Sequence, residues 1–436
     1  MSLTGLLNSN KEVKEFFNNI KPSKEEFYTL SGKKPFSKEY EEKFPYNLER
    51  PYDSTLIGTA FDYLARFEIA RNIKFNKEKS YEMLYDGIPR SGLRKVDFNI
   101  FYESIMLRLE DEFYNAIDIT KQYINLQIDS FEVLLEKSLY LARLEHCYRV
   151  GAIGTYKLLE SNGLLPNCIF FRNEELIKVE DLIKIEGSCC YLSVILKSIK
   201  DNVIVKIEEY DKDKNRIDDF ELKEISKEFK LNTNTSFIKL NIIVNGDKAN
   251  LEDIIMVSVY HISEEKINNF INWFIKFNQN IIDELRNIFV QFREIFIKNI
   301  IEEDSIVVFN PSFGKASELV NGADADIYID GVLYDFKTTK KYGYVGKDIS
   351  QIIGYFLLKN VDEKYIIIND ENRKKISPLL HYDINKLAFY KARFGEIEFL
   401  DISYLNKFNK KKLIKDFEDL LKKINPRFNE IINAIY

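Results

Sequence analysis

The stretch Gly322–Lys340, GADADIYIDGVLYDFKTTK, decides how this chain is read. Ile327 to Ile329 is a short apolar run, Asp330-Gly331 follows, and Val332 to Lys337 resumes the apolar pattern. An Asp-Gly pair between two such runs is a strong hairpin signal, because a type I′ turn needs positive φ at both central residues. A two-residue turn puts Asp326 opposite Asp335 and Asp324 opposite Lys337. Side chains alternate along a strand, so Asp324, Asp326, Asp335 and Lys337 are expected on one face of the hairpin. Like charges facing each other destabilise a sheet unless something neutralises them. A divalent cation would do so, and hard oxygen ligands suit Mg2+ or Mn2+. For any single aspartate the plainer reading is a charge on a solvated strand face.

Working outward, Asp326, then Asp335-Phe336-Lys337, then Gln351 and Tyr355 on a following helix resemble the PD-(D/E)xK nuclease superfamily. This superfamily is also called restriction-endonuclease-like and includes RecB-type and lambda-exonuclease-type domains. The wider string NPSFGKASELVNGADADIYIDGVLYDFKTT is similar to a bacterial branch with an NP-x-F lead-in. The resemblance implies an α/β nuclease core and a DNA substrate, with RNA as the alternative. It implies metal ligation by Asp326, Asp335 and the Phe336 backbone carbonyl, with Asp324 or Glu68 completing the set. It further implies that Lys337 positions the attacking water and that Gln351 and Tyr355 orient the scissile strand. Lys340, Lys341 and Lys347 would contact phosphates. A role in antiviral defence or DNA repair follows from the resemblance alone.

Upstream, Asp53 or Ser54 is expected to cap a helix from about Thr55 to Arg71, with Ile57, Ala60, Phe61 and Leu64 as its apolar face. Continuing that face by one turn reaches Glu68, a carboxylate costly to bury unless paired or metal-bound. The string LIGTAFDYLARFEIAR also resembles the opening helix of RecB-like domains. Pairing with Arg71, or escape to solvent at the helix end, is the alternative for Glu68.

At 436 residues, two or three domains are expected. With 45% hydrophobic and 14% aromatic residues the chain can bury a large core, which argues against disorder. The net charge of −6 excludes a wholly basic nucleic-acid binder, though not a local basic groove. No secretion pattern or long apolar run is visible, so a cytoplasmic protein without a membrane partner is expected. The four cysteines, Cys147, Cys168, Cys189 and Cys190, have neither zinc spacing nor a place after the nuclease residues, so no metal cluster is read from them.

The expected order is a helical region at 1–165 and an inserted β-sandwich-like domain at 166–262. A helical segment at 263–301, the nuclease core at 302–405 and a terminal helix at 406–436 follow. Within the insert, Asp211, Asp213 and Asn215 mimic the start of a calcium loop, but Arg216 and Leu222 replace its Gly and Glu, so a hairpin turn is expected. The helical regions or the insert could bind a partner protein or a second copy. Two non-enzymatic alternatives remain open: a catalytically silent nucleic-acid or partner binder on the same fold, and a carbohydrate-binding accessory protein.

Overall fold

The computed structural model describes residues 3–44, 48, 51–74, 87–100, 103–165, 167–172, 182–185, 189–198, 203–222, 226–244, 247–248, 254–365 and 377–433. It is a mixed helix-and-sheet protein made of two compact units. The first gathers Met1–Met83, Asp118–Ala142 and Asn278–Tyr436; the second gathers Leu84–Ile117 and Arg143–Phe277. Among the described residues no helix is long and apolar enough to cross a membrane.

The first unit opens with helices α1 (Leu3–Ser9) and α2 (Lys11–Ile20). Asn10 caps α2 by accepting the Val13 N–H, and Val13, Phe17 and Ile20 form its buried stripe. A two-residue strand, β1 (Tyr28–Thr29), and helix α3 (Pro51–Asn72) follow. The latter begins earlier than expected: Pro51 occupies the first turn, where its fixed φ suits a helix start, so Asp53 lies inside the helix rather than capping it. Helix α4 (Gln279–Phe292) runs on through a π-helical turn, Arg293–Ile297.

A six-stranded mixed sheet comes next in the chain, from β2 (Val307–Phe309), β3 (Ile327–Ile329) and β4 (Val332–Lys337). Helix α5 (Gly346–Tyr365) leads on towards β5 (Lys386–Lys391) and β6 (Glu396–Asp401). The order across the sheet is β1-β6-β5-β4-β3-β2. β4 and β5 are parallel and every other pair is antiparallel. A parallel pair needs a long crossover, and α5 belongs to it. The run Tyr365–Ile368 reads in sequence as a strand; Tyr365 instead ends the helix, and residues 366–368 lie outside the described residues.

Each sheet face has its own cover. Leu333, Leu387, Phe389 and Leu400 share a core with α1, α2, α5 and helix α6 (Lys410–Ile424). On the other face Phe336 and Tyr390 meet the rings of Phe61, Phe292 and Phe296 from α3, α4 and the π-turn. Ile57, Ala60, Phe61 and Leu64 are all buried, as the apolar spacing of α3 requires.

In the second unit, the described residues between 167 and 263 form two antiparallel sheets, one of four strands and one of five. The calcium-like run is a hairpin turn: Asp211 Oδ1 accepts the N–H groups of Asp213 and Asn215 between Val203–Tyr210 and Arg216–Leu222.

Candidate active site

The hairpin register is that of a two-residue turn. Ile329 pairs with Val332, Tyr328 with Leu333 and Ile327 with Tyr334. Asp330 and Gly331 both have positive φ, 45° and 88°, as a type I′ turn demands.

The ladder stops at Ile327–Tyr334, short of the expected Asp326–Asp335 and Asp324–Lys337 pairs. Beyond it the chain peels away to follow the Asn310-Pro311-Ser312 lead-in. Asn310 N–H donates to the Asp326 carbonyl, Ala325 N–H to the Pro311 carbonyl, and Ser312 bridges Asp324. The Phe336 N–H would otherwise lose its ladder acceptor. Asp326 Oδ2 takes it at 2.5 Å, a charge-assisted bond from side chain to backbone.

Asp335 and Lys337 emerge on the face covered by α5, and Lys337 Nζ lies 2.6 Å from Asp335 Oδ2. This close ion pair lies with the Asp335 carboxylate buried and the lysine half-buried. A second carboxylate, Asp348 in the first turn of α5, stands 4.0 Å from Lys337. The helix starts at Gly346, so Asp348 lies within its first turn and the carboxylate faces the lysine. Gln351 Nε2 donates to Tyr355 Oη at 2.6 Å, and Tyr355 stacks on Phe313 of the lead-in with centroids 5.1 Å apart.

Burial and like charge act together here. Burial, then the neighbouring Asp335, pushes Asp326 up to about 7. Burial also raises Asp335, with Lys337 partly offsetting it. For Lys337 burial works the other way, but Asp335 and Asp348 outweigh it, so the ammonium is held above the ordinary lysine range. Tyr355 is raised by burial and then by Asp335, Asp326 and Asp324, which places its hydroxyl in the same field. The tyrosine therefore acts as a neutral hydrogen-bonding group.

Glu68 is elsewhere. It accepts from Arg293 Nε at 2.9 Å, from Asn72 Nδ2 at 3.3 Å and from the Tyr123 hydroxyl. Its helix covers the Phe336 face, opposite Asp335, and Glu68 lies seven residues past Phe61, about 10 Å along the axis. The expected third ligand is thus an ion-pair partner of the π-turn arginine. Asp324 is exposed beside Ser312. Among the described residues no three His, Cys, Asp or Glu side chains form a metal-ligating group.

A half-buried and a buried carboxylate, crowded enough to raise both, still fit a hard cation. Mg2+ keeps several waters and needs only one or two protein carboxylates, whereas a calcium cage would need more oxygens. The Phe336 carbonyl lies in the backbone between Asp335 and Lys337, within the same strand.

Several neighbours had no sequence signal. Thr4 accepts from Gln351 Nε2 at 3.0 Å across 347 positions. Lys391 stands in register beside Lys337 on β5 and lies 3.7 Å from Glu398. Lys340, Lys341 and Lys347 are exposed around the mouth of α5.

Compared with protein-family profiles, curated proteins and solved structures, the chain matches none. The geometry of the Asp326–Asp335–Lys337 set therefore has to carry the functional reading.

Proposed function

We propose that this protein is a metal-dependent nuclease that hydrolyses phosphodiester bonds of DNA. The observation supporting it is the pair of half-buried Asp326 and buried Asp335, with Asp326 pushed up to about 7, set beside the Lys337 ammonium. Two carboxylates driven together out of water are poor structural groups but good cation ligands.

Asp326, Asp335 and the Phe336 carbonyl would hold Mg2+ or Mn2+. When bound, such an ion supplies a water of lowered pKa and positive charge near the phosphoryl oxygens. Lys337, kept protonated by Asp335 and Asp348, donates to and orients the attacking water and offsets negative charge at the phosphate. Tyr355, its hydroxyl bonded by Gln351 and its ring stacked on Phe313, offers an oriented proton donor to the scissile strand. Lys340, Lys341 and Lys347 neutralise backbone charge beyond it. A cytoplasmic location and a role in defence or repair go with this reading.

The test is incubation with plasmid, linear duplex and single-stranded DNA, and RNA, under Mg2+, Mn2+ or EDTA. Metal-dependent DNA cleavage lost in Lys337→Ala is the expected result. Cleavage that persists in EDTA, or none of any substrate under either metal, overturns the proposal.

A further inference from the structure

A second basic feature of the first unit adjoins the candidate site. The N-terminal arm, α1 and α2, lies against the start of α5 and encloses with it a cleft of about 240 Å³. Lys14 and Asn18 line it from α2 and Lys21 from just past its end; Gly346, Lys347 and Ser350 line it from α5. The Lys21 side chain lies over Gly346, its Nζ 2.8 Å from where a Cβ would stand.

Three ammonium groups share this cleft and no carboxylate lines it. The acidic side chains of α2 point to other cations, Glu12 to Lys423 at 2.8 Å and Glu15 to Lys11 at 3.7 Å. Asp348, next in sequence to Lys347, faces Lys337. None of Lys14, Lys21 and Lys347 forms an ion pair with the described carboxylates. Gathering like charges without a counter-charge costs free energy, which a bound polyanion repays through charge neutralisation and counterion release.

The cleft also joins the candidate site. Lys347 and Gln351 are one turn apart on α5, about 6 Å, and Gln351 is held by Thr4 of the same arm. We infer that the arm is a backbone clamp, in which Lys14 and Lys21 with Lys347 grip the phosphates of a DNA strand one turn along α5 from Gln351. The clamp rests on the nuclease reading for the direction of the strand, but its binding function can be measured without cleavage.

The experiment uses the full chain in EDTA, with fluorescein-labelled 20-mer DNA, duplex and single-stranded, titrated at several salt concentrations. Lys14→Ala/Lys21→Ala is expected to bind about tenfold more weakly at 0.1 M salt. Its log–log salt slope should be shallower by about 1.8 for duplex and about 1.4 for single strands. Lys14→Arg/Lys21→Arg should bind like wild type. The control Lys411→Ala/Lys412→Ala removes two exposed charges from α6 and should change neither quantity. Thermal melting checks that all variants fold. Wild-type protein that does not bind either DNA, a double variant that binds like wild type, or an equal loss in the α6 control overturns the clamp. Because cleavage is off in EDTA, failure of the clamp and failure of the nuclease reading give different results.

Discussion

Asp326 finishes with its side chain a ladder that its backbone has left: Oδ2 accepts the Phe336 N–H at 2.5 Å. The bond fixes one carboxylate oxygen against β4 within the field of Asp335. Asp326→Asn keeps an acceptor for that N–H and removes one of two crowded charges. Without metal its Tm should equal or exceed that of wild type, while the Tm gain on adding 10 mM Mg2+ disappears. An undiminished Mg2+ response by differential scanning calorimetry would show that the ion sits elsewhere.

Lys337 is both the partner of Asp335 and the proposed orienting cation. Lys337→Met keeps the aliphatic stem and removes the ammonium. Steady-state cleavage should fall about 10²- to 10⁴-fold, the range for loss of a positioned proton-transfer or charge-stabilising group. Melting should show a modest loss, because Asp335 can take up a proton when its cation is gone. A variant that still cleaves at the wild-type rate removes Lys337 from the mechanism.

Glu68 holds Arg293 and Tyr123 rather than a metal. Glu68→Ala leaves those two groups without their acceptor. A loss of about 1–3 kcal/mol is expected in urea unfolding, discounted because Arg293 is part-exposed. The Mg2+-induced rise in Tm should survive unchanged. Its disappearance would return Glu68 to the metal site.

Glu398 provides a pH prediction away from the candidate ligands. It accepts from Tyr40 Oη at 2.6 Å and from Phe36 N–H at 3.0 Å, and burial pushes it up to about 7. A raised carboxyl pKa means that the folded state binds the extra proton. Its stabilising effect is complete below the unfolded value near 4.5 and is lost as pH rises through 7. Glu398→Gln can keep both acceptor contacts without a charge. Its Tm relative to wild type should therefore rise between pH 4.5 and pH 8. A constant difference across that window would mean that Glu398 is already ionised throughout.

The hairpin and its register were legible because Asp330-Gly331 specifies its own backbone geometry. What lay beyond Ile327 was not, since the path of Asp324 to Asp326 is set by pairing with Asn310 to Ser312. The apolar period of α3 identified its buried stripe, yet periodicity says nothing about which sheet face a helix covers. That is why Glu68 was expected near Asp335 and stands across the sheet. Thr4 and Lys391 reach the site only through tertiary packing, and neither belongs to a local pattern.

The central claim is that Asp326 and Asp335 together hold the ion on which DNA cleavage depends. It is tested most directly by digesting linear DNA while free Mg2+ is titrated against wild type and Asp335→Asn. The wild-type rate should rise from zero in EDTA to a plateau, and the variant should stay at background at every Mg2+ concentration. Wild-type cleavage in EDTA, or a variant that reaches the same plateau, would contradict it.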